Sequence, residues 1–202
     1  MFREWLGQML CRDPEFSICG EADNIGDAIQ MTESLQPDVA IVDLTLRGSS
    51  GLELIKNLKA RGLQTPVLVL SMHDENLYAE RVLRAGGRGY VSKHEASSTL
   101  FTALRRILQG EVFLSERMAS RLLSQWSAAP SSRSGIDSLA DRELEVFQMI
   151  GRGFHTSKIA SALHLGGSTV ETYRARIKDK IGLQNSSELY AYAARWVQEK
   201  GL

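Results

Sequence analysis

Three polar side chains fall at the ends of three apolar runs in the first half of the chain. Asp43 lies at the end of DVAIVDL (38–44), Ser71 directly follows VLVL (67–70), and Lys93 ends GYVSK (89–93). Apolar runs of this kind, alternating with helical patterns, read as parallel strands buried on both faces. Ligands bind along the carboxyl edge of such a sheet. A carboxylate there can attack a phosphoryl donor. A hydroxyl can hydrogen-bond the transferred group, and a lysine can neutralise it. Each residue also has an ordinary use: Asp43 can cap a turn, Ser71 can N-cap the next helix, and Lys93 can be a solvated strand end. Their recurrence in order on successive strands is what points to one site.

A second constellation lies in TSKIASALHLGGSTVETYRARIKDKIGL (156–183). Two helical patterns flank the short turn HLGG. Ile159, Ala160 and Leu163 make one apolar face of the first. In the second, Ser168 is the expected N-cap, and Val170, Tyr173, Ile177 and Ile181 recur on a buried face. At about 100° per residue the opposite face carries Ser168, Glu171, Thr172, Ala175 and Arg176, flanked by Arg174, Lys178 and Lys180. A basic-flanked helix with small or polar outward residues fits the major groove. Helical periodicity alone favours the plainer reading, an amphipathic helix with a solvated charged face.

These residues need elements to position them. The chain opens on an amphipathic helix, with Phe2, Trp5, Leu6, Met9 and Leu10 on one face. FSICGEA (16–22) reads as a strand. Asp23-Asn24 can cap the next helix, whose stripe is Ile25, Ala28, Ile29, Met31 and Leu35, and Pro37 stops it. The loop RGSSG (47–51) leads into the helix LELIKNLKARG, and Pro66 precedes the second buried strand. Further helices are expected over about 76–85, from Ser97 or Ser98 to Gln109, and over about 115–126. Alternating helices and buried strands mean a doubly wound parallel α/β domain over 1–110. SAAPSSRSG (127–135) is small and polar, with Pro and Gly, and marks a flexible linker within the connecting segment 111–138. Residues 139–202 show no strand pattern; helices fit at about 141–151, 156–163, 168–181 and 186–199.

Composition narrows the partners little. The 24 basic and 24 acidic residues cancel. Residues 139–202 hold 9 basic and 7 acidic side chains, a mild excess that permits nucleic-acid binding without demonstrating it. Cys11 and Cys19 have no CxxC or Cys/His context and read as ordinary reduced thiols. No apolar run is long enough for a membrane span and no signal-peptide pattern appears, so a soluble cytoplasmic protein is expected.

PDVAIVDLTLRGSSGLELI, TPVLVLSMHDE and RAGGRGYVSK resemble the receiver domain of two-component response regulators, a flavodoxin-like α/β fold, over roughly 1–110. LADRELEVFQMIGRG, SKIASALHL, STVETYRARIKDKIGL and ELYAYA resemble the helix-turn-helix domain of the NarL/LuxR family over about 137–200. The resemblance implies that Asp43 is the phospho-acceptor, Ser71 the switch hydroxyl, Lys93 the phosphoryl-binding lysine and Tyr90 the aromatic whose rotamer reports the state. Thr45 would offer its backbone carbonyl to Mg²⁺. On DNA, base-edge contacts would come from Glu171, Thr172 and Ala175. Phosphate contacts would come from Lys158, Thr169, Arg176 and from Arg174 or Lys178, with Ser168 at the helix start. Glu171 could accept from a cytosine amine, and Thr172 could touch a thymine methyl. The implied partners are double-stranded DNA, a sensor histidine kinase, a second copy on DNA and RNA polymerase. No membrane partner is implied. The last helix (186–199) is the family's dimerising element, and its apolar residues Leu189, Tyr190, Ala193, Trp196 and Val197 could serve that role or pack on their own domain.

Three departures matter. Arg47 stands where the family usually has proline. Ala140 replaces a common threonine at an expected cap, at a cost of about 1 kcal/mol. Most important, the receiver's first strand, with its Mg²⁺-binding acid pair, has no counterpart, and Glu4 lies inside the opening helix. Met1 is therefore read as an internal methionine or a truncation point. Failing that, the strands at 16–22 and 38–44 would have to close on each other, and Mg²⁺ would bind weakly or not at all. The expected function is a transcriptional response regulator, not an enzyme, controlled through Asp43. The alternative is a phosphorylation-independent regulator with a degenerate receiver. An aspartyl-phosphate phosphatase would need a second aspartate where Thr45 stands. A protein-interaction module without DNA binding is opposed by the TVETYRARIK face.

Overall fold

A computed structural model describes residues 2–46, 49–127 and 135–200. Arg47, most of the expected linker (128–134) and Met1 lie outside the described residues. The chain divides into two compact units, Met1–Gln125 and Trp126–Leu202.

In the first unit, helix α1 (Phe2–Leu10) precedes α2 (Ile25–Leu35), and strand β1 (Ala40–Val42) leads to a hairpin of β2 (Thr45–Leu46) and β3 (Ser49–Ser50). Then follow α3 (Gly51–Ala60), β4 (Val67–Ser71), α4 (Glu75–Ala85), β5 (Gly89–Ser92), α5 (Ala96–Leu108) and α6 (Glu116–Ser127). Local chemistry sets many of the ends. Asn24, Ser50 and Asp74 cap α2, α3 and α4 by accepting backbone N–H bonds. Gly86 closes α4 in the left-handed region. Helix α5 begins at Ala96, one or two residues before the expected serines and without a side-chain cap. The hydroxyls of Ser98 and Thr99 instead donate back to the Glu95 carbonyl.

The main sheet is parallel, in the order β1-β4-β5. Phe113 extends it beyond β5: the Tyr90 N–H donates to the Phe113 carbonyl, and the Phe113 N–H to that of Arg88. Leu68 and Leu70 pack with Val91, the α5 residues Leu100, Leu104 and Ile107, and Met9 and Leu10 of α1. By alternation Val67 and Val69 serve the other face, and every residue of β4 is buried.

Residues 16–22 belong to no strand, against the sequence expectation. Nor do they close on β1. A strand exists only through hydrogen bonds to a neighbour, and among the described residues no strand lies between this segment and β1. Instead a groove of about 430 Å³ runs there, lined by Phe16, Ile18, Val39, Ile41, Met31 and Leu35 among others. Ile18, Met31 and Leu35 are 40%, 37% and 46% exposed. The expected burial of Met31 and Leu35 on the α2 stripe, and of β1 on both faces, is therefore incomplete; Ala40 and Ile41 are only half-buried.

The second unit is helical. After a short 3₁₀ turn (Gly135–Ser138) come α7 (Asp141–Gly151), α8 (Thr156–Leu163), α9 (Gly167–Ile181) and α10 (Ser186–Lys200). Phe147 is fully buried and meets Trp196 edge-on at 5.5 Å. Leu189, Ala193 and Val197 are buried, and α10 packs mainly on α7. Gly151 permits this approach, since a Cβ there would lie 2.4 Å from the Ala193 carbonyl oxygen. The choice left open for α10 is thus resolved for these residues: they pack on their own unit. At Ala140 only half of a capping box exists, with the Glu143 carboxylate accepting from the Ala140 N–H at 2.7 Å. The same carboxylate accepts from Lys180, tying that lysine to α7.

Candidate phosphoryl site and nucleic-acid interface

Asp43, Ser71 and Lys93 lie at the carboxyl ends of β1, β4 and β5, and the parallel register brings those ends side by side. Lys93 Nζ donates to Asp43 Oδ2, and the Thr45 N–H donates to Oδ1 at 3.1 Å. The Asp43 side chain keeps 31% of its surface exposed, while that of Lys93 keeps 13%. Ser71 is fully buried and its Oγ accepts from the His73 N–H at 3.1 Å. Tyr90 is also buried, and its hydroxyl donates to the His73 carbonyl at 2.6 Å. Burial pushes the Tyr90 phenol well above its ordinary value, so it remains a donor. A half-buried carboxylate beside a lysine and a hydroxyl can accept a phosphoryl group, with the lysine neutralising part of its charge.

Two contributors were not apparent from residue types. Gly51 begins α3 against the site: a Cβ there would lie 2.2 Å from the Asp43 carbonyl oxygen, and the Gly51 N–H donates to the Leu44 carbonyl at 2.9 Å. A glycine between a serine pair and an apolar helical pattern was the available signal. His73, whose Nε2 sits 3.3 Å from Thr45 Oγ1, had none.

The donor set does not fit Mg²⁺. That ion needs several oxygen ligands in near-octahedral geometry. Here both Asp43 oxygens are engaged, and among the described residues no cluster of three or more His, Cys, Asp or Glu side chains could hold a metal.

In the second unit, Ser168, Thr169, Glu171, Thr172, Ala175 and Arg176 are exposed along α9, Lys178 is half-buried, and Lys158 of α8 is exposed over the Phe154 ring. Helix α9 starts one residue before Ser168, with Gly166 in the N-cap position and no side-chain cap. Two glycines free the turn to enter the helix earlier, so Ser168 occupies the first turn. Arg174 departs most from expectation. It is only 9% exposed and turns inward, donating to Thr156 Oγ1 and Glu171 Oε1, each at 2.8 Å, and to the Tyr190 hydroxyl. Its guanidinium also lies over the Tyr190 ring, 4.8 Å from the centroid. Polar partners on α8 and α10, with Glu171 on its own helix, draw it off the solvent flank, where it would have met phosphates.

Residues 1–105 match the response regulator receiver domain, and residues 137–193 match the bacterial regulatory proteins of the luxR family. A putative transcriptional regulator of Pseudomonas aeruginosa is 38% identical over 180 residues, covering 89% of this chain and 86% of that one. The virulence factors putative positive transcription regulator BvgA of Bordetella pertussis is 30% identical, covering 93% and 90%. Among solved structures, RcsB from Salmonella enterica serovar Typhimurium, bound to promoter rprA in the presence of phosphomimetic BeF3-, is similar at 26% identity. Its TM-score is 0.62, with 95% of this chain and 92% of that one covered. Fold, site and these likenesses define a receiver domain followed by a luxR-type regulatory domain. The chain belongs to the response regulators of the NarL/LuxR family.

Proposed function

We propose that this chain is a cytoplasmic DNA-binding transcription regulator, read through α9 and controlled through Asp43. The observation that carries the first part is the exposed face of α9, where polar and basic side chains stand outward while Val170 and Ile177 are buried beneath. Glu171, Thr172 and Ala175 face base edges. Lys158, Thr169, Arg176 and Lys178 serve phosphates, with Ser168 at the helix start, so affinity falls with salt. The domains are taken as 1–110 and 139–202, joined by 111–138. A second copy on DNA would pair two half-sites, and RNA polymerase is the downstream partner.

For control, a sensor histidine kinase is the donor. An Asp43 carboxylate oxygen forms a bond to phosphorus as the bond to the donor's histidine nitrogen breaks. Lys93 moves from the carboxylate to the new phosphoryl oxygens, and the Ser71 hydroxyl hydrogen-bonds them. With a single lysine to balance the charge, transfer is slow. One observation favours a second reading, regulation without phosphorylation: both Asp43 oxygens are already occupied, and among the described residues no cluster of three or more His, Cys, Asp or Glu side chains surrounds them.

Two measurements test these readings. Binding of the full chain to double-stranded DNA should weaken steeply as salt rises, and Arg176→Ala should lower affinity across sequences and flatten the salt slope by about one unit. Salt-independent binding, or none, overturns the DNA-binding reading. Incubation with acetyl phosphate should add one phosphoryl group, lost in Asp43→Asn. An unlabelled wild type selects the phosphorylation-independent alternative.

A further inference from the structure

Helix α9 carries an acidic residue on the face that meets DNA, and three neighbours hold it. Thr156 Oγ1 donates to Glu171 Oε1 at 2.7 Å, and Arg174 Nη1 donates both to that oxygen and to the threonine hydroxyl. The proton directions are fixed. Arginine only donates, so the threonine hydroxyl accepts from it and spends its single hydrogen on Glu171. Among the described residues Oε2 of Glu171 accepts no hydrogen bond, and the Glu171 side chain keeps 57% of its surface exposed. On its far side Arg174 is anchored by Tyr190 of α10, while its Nε is buried without a partner. A buried guanidinium left partly unsatisfied costs stability. A long apolar side chain would fill the same space without that cost, so the arginine calls for an explanation beyond packing.

A carboxylate aimed at DNA is repelled by phosphates and by the acceptor edges of guanine and thymine. The base edge that suits it best is the cytosine N4 amine. A mobile glutamate could swing away from a wrong base; a clamped one cannot. We propose that Thr156, Arg174 and Tyr190 are positioning residues that fix Glu171 Oε2 as the reader of one cytosine amine, so that each half-site carries a C·G pair at that place. This rests on the DNA-binding reading above. The Thr156 hydrogen bond and the Arg174 charge also hold the Glu171 carboxyl below its ordinary value, which keeps it an acceptor.

The test uses the full chain and a randomised double-stranded DNA library. Selection should return a preferred site with a C·G pair, favoured over T·A at that position by about tenfold. Glu171→Ala should erase this preference. Arg174→Met, Thr156→Val and Tyr190→Phe should each reduce it to about threefold or less, measured as the ratio of affinities for the C·G and T·A sites. A general structural defect lowers both affinities together and leaves the ratio intact. Tyr190→Phe and Thr156→Val remove single hydroxyls, so the question stays answerable if Arg174→Met fails to fold. If wild type binds DNA but all three variants keep the tenfold ratio, the positioning role is wrong. If Glu171→Ala keeps it, so is the reader. If wild type selects no DNA, the DNA-binding reading itself falls.

Discussion

Leu35 in the first unit and Phe147 in the second sit at apolar positions of amphipathic helices, yet Leu35 is 46% exposed and Phe147 fully buried. The difference lies in what each unit needs to close its core. A helix satisfies its own backbone, so the second unit closes by laying α10 on α7. A strand depends on its neighbours. In the first unit the groove between residues 16–22 and β1 leaves one side of the sheet uncovered, and Ile18, Met31 and Leu35 line it. The candidate site keeps its geometry beside this opening because Asp43, Ser71 and Lys93 stand at the ends of β1, β4 and β5, which remain paired.

The sharpest way to break this comparison is to delete side chains on both sides of it. Phe147→Ala should destabilise the second unit by about 4 kcal/mol, because it leaves a cavity in a closed core. Leu35→Ala should change the first unit by less than about 0.5 kcal/mol, since little water is excluded there to begin with. Hydrogen exchange of the full chain, read separately over α2 and α7, checks both. Equal losses would mean that the groove is closed in solution.

Two glycines come next. Gly151→Ala drives a methyl against the Ala193 carbonyl and Val197, and Gly51→Ala drives one against the Asp43 carbonyl. Each should cost about 2 kcal/mol, but with different readouts. The first loosens α10 from α7. The second displaces the Asp43 loop and should slow labelling by acetyl phosphate with α10 unchanged. Loss of labelling in both would mean that the units are not independent.

What was legible in the sequence divides along the same line. The helices of the second unit agree with the periodicity to within a residue, because capping and an apolar stripe are local signals. Strands β4 and β5 were legible because their apolar runs are buried on both faces. FSICGEA carries a comparable apolar pattern and is no strand, since pairing depends on a partner elsewhere. At the interface, the exposure of Glu171, Thr172, Ala175 and Arg176 follows from helical geometry, whereas the inward turn of Arg174 does not. It depends on Thr156 and Tyr190, 18 and 16 residues away on other helices.

A smaller effect is expected where the connecting helix meets the receiver. Ser115 Oγ donates to Glu75 at 2.6 Å and accepts from the Met118 N–H at 3.1 Å, while the Ser115 N–H donates to the other Glu75 oxygen. Met118 and Leu122 bury the inner face of α6. Ser115→Ala should cost about 1 kcal/mol, seen as faster exchange at the start of α6 with the rest of the sheet protected. Unchanged exchange would assign the docking of α6 to its apolar face alone.

The smallest effect is a pH dependence confined to the second unit. Glu171 has its carboxyl lowered below the ordinary 4.5, first by the Thr156 hydrogen bond and then by Arg174. The folded state therefore binds its proton less tightly than the unfolded state does. The resulting stabilisation is complete above pH 4.5 and is lost as pH falls through the lower folded value. Because Glu171 is largely exposed, solvent screens its pairing with Arg174 and the loss is modest. In Glu171→Gln that component vanishes, so exchange over α8 and α9 should depend less on pH below 4.5 than in wild type. The first unit of the same molecule, which the substitution does not touch, serves as the internal reference. Identical pH profiles for wild type and Glu171→Gln would mean that Thr156 and Arg174 do not hold the carboxylate in solution. The second unit would then present a freely moving acid to DNA, and the contrast between an open first unit and a closed second one would stop short of the reading face.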